Sequence, residues 1–311
     1  MAIDLTSYYG GLVLRSPIVV GACEMTAQEQ VRVALEAAGA GAIVLPSLFD
    51  EEVLRWNQRH GLTLSDEEQS FLESLGRSAT RDKAMHEDAD VYLSLVNRAT
   101  VTNRIPIIAS LNGHLATDWV DFAGQLEEVG ANAIELNIHH PPPREFSGPR
   151  EIEEKIIELV RRIEQSIRIP LFLKLSRNYT SVPHLACKLL SGVQGLVLYG
   201  RTPEVDIELD SLQLKSRWEL TSPGSITSTI NEIMQVHAYC PAMSLAASGG
   251  IADSSDVAKS LIAGADVAMV TSAIYREGPD VIRSLHDGLV NFMERKHLTS
   301  ILELEKRRPL V

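Results

Sequence analysis

Cysteine is scarce in this chain, and long apolar runs are missing. The three cysteines, Cys23, Cys187 and Cys240, lie far apart and form no CxxC pair, which argues against a disulfide framework and favours a reducing compartment. No apolar run approaches membrane-spanning length, and the N-terminus has no basic segment followed by an apolar one. These absences predict a soluble, cytoplasmic protein with no membrane partner.

Basic residues are in the minority. The chain has 29 lysines and arginines against 41 aspartates and glutamates, a formal net charge of −12, with acidic clusters at 50–52 and 66–68. Such a surface repels a phosphate backbone, so nucleic acid is not expected as a partner. The basic cluster at 306–308 is expected to be a solvated tail.

Internal repeats, low-complexity tracts and a GxGxxG motif after the first strand are also missing. The lack of that glycine motif argues against a doubly wound open sheet. What is present is a chain of 311 residues, 45% of them hydrophobic, which is enough to fill one large core.

The most informative stretch runs from residue 243 to residue 273. Two apolar runs, 244–247 and 267–270, lead into Gly249 and Gly250 and into Thr271 and Ser272. Backbone N–H groups and hydroxyls at two neighbouring turns of this kind suit a phosphate. In an eight-stranded α/β barrel, the loops after strands 7 and 8 are where such a phosphate usually binds.

Six earlier apolar runs bounded by glycine or proline complete a set of eight. They lie at 17–21, 42–45, 107–111, 133–136, 171–175 and 196–199. Helical stripes with spacings of three and four residues lie between them, most clearly over 152–167. Strands that alternate with helices predict a parallel sheet, and eight such units predict a single (β/α)8 TIM barrel, one domain over residues 1–311.

Three segments depart from a minimal barrel. Gly10 and Gly11 separate two short apolar runs, which predicts an N-terminal hairpin that closes the lower mouth. Long loops follow strand 2, from residue 47 to about 88, and strand 6, from 200 to 224. Both emerge at the C-terminal face, so they are expected to cover a substrate, to contact another subunit, or to be decoration without a chemical role.

Two adjacent histidines follow the fourth strand. The strand ends in Asn137, and His139 and His140 precede a run of prolines. Adjacent histidines on an extended chain point in opposite directions, so they make a poor chelating pair and no metal site is expected from them. One of them could act as a general base, because an unperturbed imidazole titrates at about pH 6.5; a loop histidine without a chemical task is the alternative.

A lysine lies inside the otherwise apolar fifth strand. An unpaired buried ammonium is costly, so Lys174 either pairs with a carboxylate such as Glu135 or faces a ligand. Its place near the C-terminal end of its strand favours the ligand. Ser110 and Asn112, at the end of the third strand, can hydrogen-bond to a heterocycle, although ordinary loop capping explains them equally well.

In the same order along nearly the full chain, these segments resemble the soluble class 1 dihydroorotate dehydrogenases. The matching segments are 16–22, 135–137, 173–175, 247–250, 264–273 and 277–279. The resemblance implies an FMN across the top of the barrel, with its phosphate held by Gly249, Gly250, Thr271 and Ser272. Lys174 would stand near the pyrimidine edge of the flavin, where a cation stabilises negative charge on the reduced ring.

The resemblance also implies the contacts of the flavin ring and the reaction. Asn137 and Ser110 would contact the ring system, and Gly21 and Ala22 would allow it to approach the backbone. In the family reaction a base removes a proton from one carbon of dihydroorotate while hydride passes from its neighbour to the flavin, giving orotate for pyrimidine synthesis.

The substrate motifs of the family are altered in this chain. The family motif after strand 4 usually runs Asn-Leu-Ser-Cys-Pro-Asn, and here His140 takes the position of the catalytic cysteine and Pro142 that of a substrate-binding asparagine. Pro46 stands where strand 2 of the family ends in a lysine. Each lost polar contact reduces specificity for the family substrate.

Three further residues are candidate substrate contacts. They are Asn112, His139 and Arg201, of which Arg201 could hold the carboxylate of a different acid. The function predicted is therefore that of an FMN-dependent oxidoreductase acting on dihydroorotate or another small reduced compound.

Two alternatives remain open from the sequence. One is a flavin-free barrel that acts as a lyase or isomerase on a phosphorylated substrate, and the other is a flavin-binding subunit that no longer turns over. For an active enzyme, electron transfer to NAD through an iron–sulfur centre would need a partner protein, because the chain has no cysteine cluster of its own. The oligomeric state stays open from the sequence; relatives of class 1 commonly pair, which makes a homodimer one candidate.

Overall fold

The computed structural model describes residues 3–75, 88–113, 119–138, 148–200, 204–217 and 219–308. The strands are β1 (Ser7–Tyr9), β2 (Leu12–Leu14), β3 (Ile18–Val20), β4 (Ala42–Phe49), β5 (Ile107–Gly113), β6 (Ala133–Ile138), β7 (Leu171–Leu175), β8 (Gly195–Leu198), β9 (Glu204–Glu208), β10 (Gln213–Arg217), β11 (Ser244–Ser248) and β12 (Val267–Val270). The helices are α1 (Glu29–Ala37), α2 (Asp50–Arg59), α3 (Asp66–Leu75), α4 (Ala89–Thr102), α5 (Trp119–Glu128), α6 (Pro149–Ser166), α7 (Val182–Leu189), α8 (Thr227–Tyr239), α9 (Ser254–Ala263), α10 (Ser272–Glu277), α11 (Val281–Arg295) and α12 (Ile301–Glu305).

Eight strands form a closed parallel barrel in the order β3-β4-β5-β6-β7-β8-β11-β12, and the pairing of β12 with β3 closes it. The prediction of a (β/α)8 TIM barrel is confirmed. Because all eight strands are parallel, their carboxyl ends meet at one mouth of the barrel. The turns that follow the strands therefore come together at that mouth.

The barrel interior is packed with apolar side chains from alternate positions of the strands. Its buried residues include Val19, Val44, Ile108, Phe172, Val197, Ala246 and Met269. The hairpin of β1 and β2 covers this interior from the N-terminal side, where the ring of Tyr9 stacks on Phe172 with centroids 4.2 Å apart. The N–H of Gly10, which has a φ of +50°, donates to Ser244 Oγ at 3.0 Å. The predicted N-terminal hairpin is confirmed.

The helices pack around the barrel by one apolar face. In α6, the helix with the clearest stripe in the sequence, Ile156, Val160 and Ile163 are buried. Pro149 occupies its first turn, and the N–H of Gly148 donates to the carboxylate of Glu151 at 3.3 Å, which fixes the start of the helix. Across the described part of the chain, no helix combines the length and apolar character needed to cross a membrane.

The second barrel strand runs past its predicted end at Leu45 and continues to Phe49. Its register against β5 shifts between Val44 and Ser47, because Pro46 has no N–H to donate to the ladder. The predicted long loop after this strand contains α2 and α3, and the one after strand 6 contains the hairpin of β9 and β10.

Candidate active site

A cavity of about 710 Å³ lies at the C-terminal mouth of the barrel. This volume falls within the range of roughly 300–1,000 Å³ that is typical of small-molecule and cofactor sites. Lys174 on β7 lines the same cavity as Gly249 and Gly250 after β11 and Ser272 after β12. The two regions that the sequence assigned to one ligand therefore face one space.

Lys174 is held at the floor of the cavity by an ion pair. Its Nζ lies 2.7 Å from Oε1 of Glu135 on the neighbouring strand, and Glu135 is 1% exposed. Both interpretations of this lysine therefore apply, because Lys174 pairs with Glu135 and also lines the cavity. The pair fixes the ammonium group at the floor of the cavity, and the buried carboxylate of Glu135 balances its charge.

Two asparagines continue a polar row across the mouth. Asn112 on β5 is in register with Asn137 on β6, which is in register with Lys174, and all three line the cavity. Oδ1 of Asn112 is buried and has no hydrogen-bond partner among the described residues. An unsatisfied buried oxygen costs about 1–3 kcal/mol, so this amide is suited to receive an N–H or O–H group from a ligand.

The glycine turn after β11 requires its two glycines. Gly249 and Gly250 have φ angles of +95° and +81°, which side chains rarely allow. A Cβ on Gly250 would lie 2.1 Å from Ser225 Oγ and 2.7 Å from the backbone N of Ile226. The backbone of Gly250 thus packs directly against the start of α8.

Hydrogen-bond donors converge at this turn. The N–H of Gly250 donates to Oγ1 of Thr221 at 3.0 Å, and that hydroxyl lies 2.9 Å from Oγ of Ser272. Thr221 N–H also donates to Ser272 Oγ, at 3.1 Å. Both of these N–H groups already donate within the protein, so a phosphate at this turn would accept from the hydroxyls of Thr221 and Ser272 or would replace one of these bonds.

The remaining predicted cofactor contacts lie at or below the cavity lining. Ala22 and Thr271 line the cavity, whereas Gly21 and Ser110 are not part of the lining. A Cβ on Gly21 would lie 2.3 Å from Oγ1 of Thr271, so strands β3 and β12 need a glycine there to approach each other. The hydroxyl of Ser110 is bonded to Ser47 Oγ at 2.8 Å, one layer below Asn112.

Several lining residues were not singled out in the sequence. They are Arg177, Tyr199, Ser225 and Thr221. Thr221 and Ser225 lie at the end of, or just beyond, the long loop after strand 6, where no periodic pattern marks individual positions. The place of Arg177 could have been predicted, because a charged residue just beyond a barrel strand is expected at the C-terminal mouth.

Burial controls the ionisation of two side chains in the cavity wall. It raises the pKa of Tyr199 to about 12, an effect that Glu232 increases and Arg177 opposes. Burial also raises the pKa of the Cys23 thiol. Both groups are therefore neutral at physiological pH.

The predicted base and two predicted substrate contacts lie outside the described residues. These are His140, His139 and Arg201; Pro142 is also outside them. Over the ranges that the structure covers, no group of three or more His, Cys, Asp or Glu side chains is arranged to hold a metal ion.

Comparison with known proteins places the chain beside one group of enzymes. The family model described as dihydroorotate dehydrogenase matches residues 11–293. The chain is 24% identical to a dihydroorotate dehydrogenase B (NAD(+)), catalytic subunit, of Thermoplasma volcanium over 308 residues, 97% of each protein. It is 23% identical to the protein of the same name from Methanocaldococcus jannaschii over 295 residues, 93% of each.

A third match is shorter. Over 195 residues, 61% of this chain and 63% of the other protein, the chain is 28% identical to a protein of Aeropyrum pernix named for dihydroorotate dehydrogenase A (fumarate). Since the family model spans most of the chain, this chain belongs to the dihydroorotate dehydrogenase family of flavin-dependent dehydrogenases that act on CH–CH groups.

Proposed function

We propose that this protein is an FMN-dependent oxidoreductase that converts dihydroorotate to orotate in pyrimidine synthesis, or oxidises a related small reduced substrate. The observation that carries the proposal is the single cavity shared by Lys174 and the Gly249–Gly250 turn. A nucleotide with a phosphate at one end and a flat polar ring at the other needs both regions at one site.

The described donors fit the two ends of FMN. Gly249, Gly250, Thr271 and Ser272 would hold the phosphate, because the glycine turn and the two hydroxyl side chains line the same cavity. Asn137 and Lys174, which are in register on neighbouring strands, give the flat ring an amide and an ammonium group on the floor of the cavity. Bound FMN would supply the acceptor for the hydride that leaves the substrate.

The chain itself would position the ring and balance its charge. Lys174, fixed by Glu135, would keep a positive charge beside the ring edge, and Asn137 would hydrogen-bond to it. Ala22 leaves room in the wall for a close approach to the backbone, and Gly21 and Ser110 would shape the floor beneath the ring. These groups would orient the flavin ring and keep water away from it. The proton that leaves the substrate would go to a separate base.

His140 is the proposed base. It follows β6, which carries Asn137 to the mouth, and a neutral imidazole can accept the proton that leaves the substrate carbon. His139, Asn112 and Arg201 are proposed substrate contacts. Pro46 supplies no hydrogen-bond donor to the cavity wall. This supports a substrate whose polar contacts differ from those of dihydroorotate.

The relatives suggest partners as well. Two of them are named as catalytic subunits, which supports an electron-transfer partner protein for this chain. We further propose a homodimer in the cytoplasm, built from one FMN-binding barrel domain over residues 1–311.

Two measurements test the proposed function in sequence. Purified protein should be yellow and release FMN on denaturation, and colourless protein without FMN would refute the flavin site. Anaerobic addition of dihydroorotate should then bleach the visible flavin bands. Yellow protein that is bleached by dithionite but not by dihydroorotate would refute the proposed substrate while leaving the flavin site intact.

The base is tested by His140→Ala. The substitution should slow anaerobic bleaching by about 10²–10⁴-fold with FMN content unchanged, because general base catalysis contributes on that order. His184→Ala, on the exposed side of α7, is the matched control and should bleach at the parental rate. An unchanged rate in His140→Ala would remove His140 from the mechanism.

A further inference from the structure

Arg177 occupies a position between two cavities. It follows the end of β7 at Leu175 and lines the main cavity that Lys174 also lines. A smaller cavity of about 250 Å³ lies next to it, and Arg177 and Tyr199 line both spaces. The guanidinium group therefore stands at the side of the mouth formed by β7 and β8.

The guanidinium group is fixed by its neighbours but remains accessible. Its Cζ lies 4.5 Å from the ring centroid of Tyr199, and Nη1 lies 3.4 Å from Oε1 of Glu232. Nη2 donates to Ser228 Oγ at 3.2 Å and also to the hydroxyl of Thr229. The side chain is nevertheless 48% exposed, so a donor held in a defined orientation can still reach a ligand.

The charges in the cavity wall single out this residue. Among the described lining residues, the basic side chains are Lys174 and Arg177. Lys174 is already paired with the buried carboxylate of Glu135 at 2.7 Å. On the β4 side of the mouth, Pro46 offers neither a charge nor an N–H donor.

Arg177 also retains hydrogen-bonding capacity. A guanidinium group has five N–H donors, and the contacts to Glu232, Ser228 and Thr229 engage only part of this set. Charge-assisted hydrogen bonds from arginine to a carboxylate are stronger than neutral ones. An anionic group that enters the cavity would find its most favourable accessible partner here.

We propose that Arg177 is a substrate-binding residue that holds the carboxylate of the substrate from the β7–β8 side of the cavity. The inference rests on the proposed function and deepens it, because it fixes the orientation in which a small carboxylic acid binds. It also assigns the anionic contact to a residue other than Arg201. The phosphate end of the cofactor is expected at the turns after β11 and β12, where the hydroxyls and N–H groups converge, and not at Arg177.

The test uses flavin-loaded full-length protein and two pairs of probes in which neutral amides replace the carboxylates. Orotate and orotamide form one pair, and fumarate and fumaramide form the other. Binding of each probe is followed by the change in the visible flavin spectrum. FMN content and riboflavin affinity are measured in parallel, so that loss of the flavin is recognised separately from loss of acid binding.

Arg177→Gln should raise the Kd of the carboxylate that the parent protein prefers by about tenfold or more, and leave the matching amide within about twofold. Arg177→Lys should recover part of the affinity, because it keeps the charge but loses the planar fork. Arg161→Gln is the matched control, since Arg161 also bonds a serine hydroxyl, Ser191 Oγ at 3.2 Å, but on the outer face of α6.

Three outcomes would overturn the inference. The first is an equal loss of affinity for the acid and for its amide in Arg177→Gln. The second is failure of the parent protein to bind either carboxylate more tightly than the matching amide. The third is weaker binding of FMN with unchanged binding of riboflavin, which would place Arg177 at the phosphate. Parent protein that holds no FMN refutes the proposed function instead, so the two failures are distinguishable.

Discussion

Lys174 and Glu135 depend on each other, because each would be a buried unpaired charge alone. Glu135 is 1% exposed and its partner Nζ lies 2.7 Å away. Lys174→Met should therefore lower the free energy of unfolding by about 3–5 kcal/mol, the usual cost of leaving one charge of a buried pair uncompensated. Urea denaturation of the flavin-free protein measures this loss without a contribution from the cofactor.

The double variant Lys174→Met with Glu135→Gln serves as the control for that prediction. It removes both charges, so it should regain a large part of the stability lost in the single variant. A double variant as unstable as Lys174→Met would show that the loss came from packing and not from the unpaired carboxylate.

Asp266 makes the stability of the barrel depend on pH. Its carboxylate accepts the N–H of Leu245 at 3.0 Å, and burial raises its pKa from 3.8 to about 6. Because the folded pKa is the higher one, this group stabilises the fold fully below pH 3.8, and its contribution is lost as the pH rises through 6. The pKa difference corresponds to roughly 3 kcal/mol.

Asp266→Asn should remove this dependence while keeping an oxygen for Leu245. Relative to the parent protein, the variant should have its largest stability advantage near pH 7.5 and should lose about two thirds of that advantage by about pH 4.5, as followed by urea unfolding. Asp253→Asn is the control, because the pKa of Asp253 is lowered from 3.8 and its effect should be constant over this window. If the free energies of unfolding of Asp266→Asn and the parent protein changed in parallel with pH, the prediction would be contradicted.

Single residues differ in how well the sequence predicts their environment. The ion pair of Lys174 was predictable, because a lysine in an apolar strand needs an anion. Glu135 was one of the two partners expected, the other being a ligand. The convergence of Thr221 on Gly250 and Ser272 was not, because it depends on how a long loop returns to the barrel mouth. Local sequence carries no information on such a return path.

At the scale of elements, periodicity predicted the barrel strands closely. The strands Leu171–Leu175 and Val267–Val270 have the bounds that their apolar runs indicated. The largest difference is β4, where Pro46 was expected to lie beyond the strand. The strand tolerates the proline through a register shift against β5, which is a property of the pairing and not of the strand sequence.

The turn after β11 offers a matched pair of substitutions. Both glycines have positive φ, but a Cβ on Gly249 would meet only Thr221 Cγ2 at 3.9 Å, whereas one on Gly250 would lie 2.1 Å from Ser225 Oγ. Gly249→Ala should cost about 1–2 kcal/mol of stability from backbone strain alone. Gly250→Ala should cost more and should also weaken FMN binding, because the start of α8 must move.

Urea unfolding and FMN titration followed by flavin fluorescence measure the two effects. Equal stability losses in the two variants would show that the contact with Ser225 is relieved without cost. Gly250→Ala protein that binds FMN as tightly as the parent would show that the phosphate does not depend on this turn.

At the scale of the whole molecule, one closed barrel brings distant segments to one space. Lys174 and Gly250 are far apart in the chain, yet they line the same cavity because their strands end at the same mouth. The sequence could predict this meeting, since it follows from a parallel barrel alone. The roles of the segments between strands could not be predicted in the same way, because long excursions such as the β9–β10 hairpin do not follow the barrel repeat.

A ligand that joins strands on both sides of the mouth should stabilise the whole barrel. For a ligand that binds only the folded state, a free concentration of 100 times the Kd contributes about 2.7 kcal/mol. For a chain of this size, that should raise the Tm by roughly 5 °C. Riboflavin at the same concentration should give a smaller rise, because it has the ring but not the phosphate that the glycine turn is proposed to hold.

Thermal unfolding of flavin-free protein with FMN, riboflavin and inorganic phosphate measures these contributions separately. In Gly250→Ala, the shift with riboflavin should persist while the additional shift with FMN disappears, because only the phosphate end depends on that turn. Equal shifts with FMN and riboflavin in the parent protein would mean that the phosphate contributes nothing, and would remove the turns after β11 and β12 from the cofactor site.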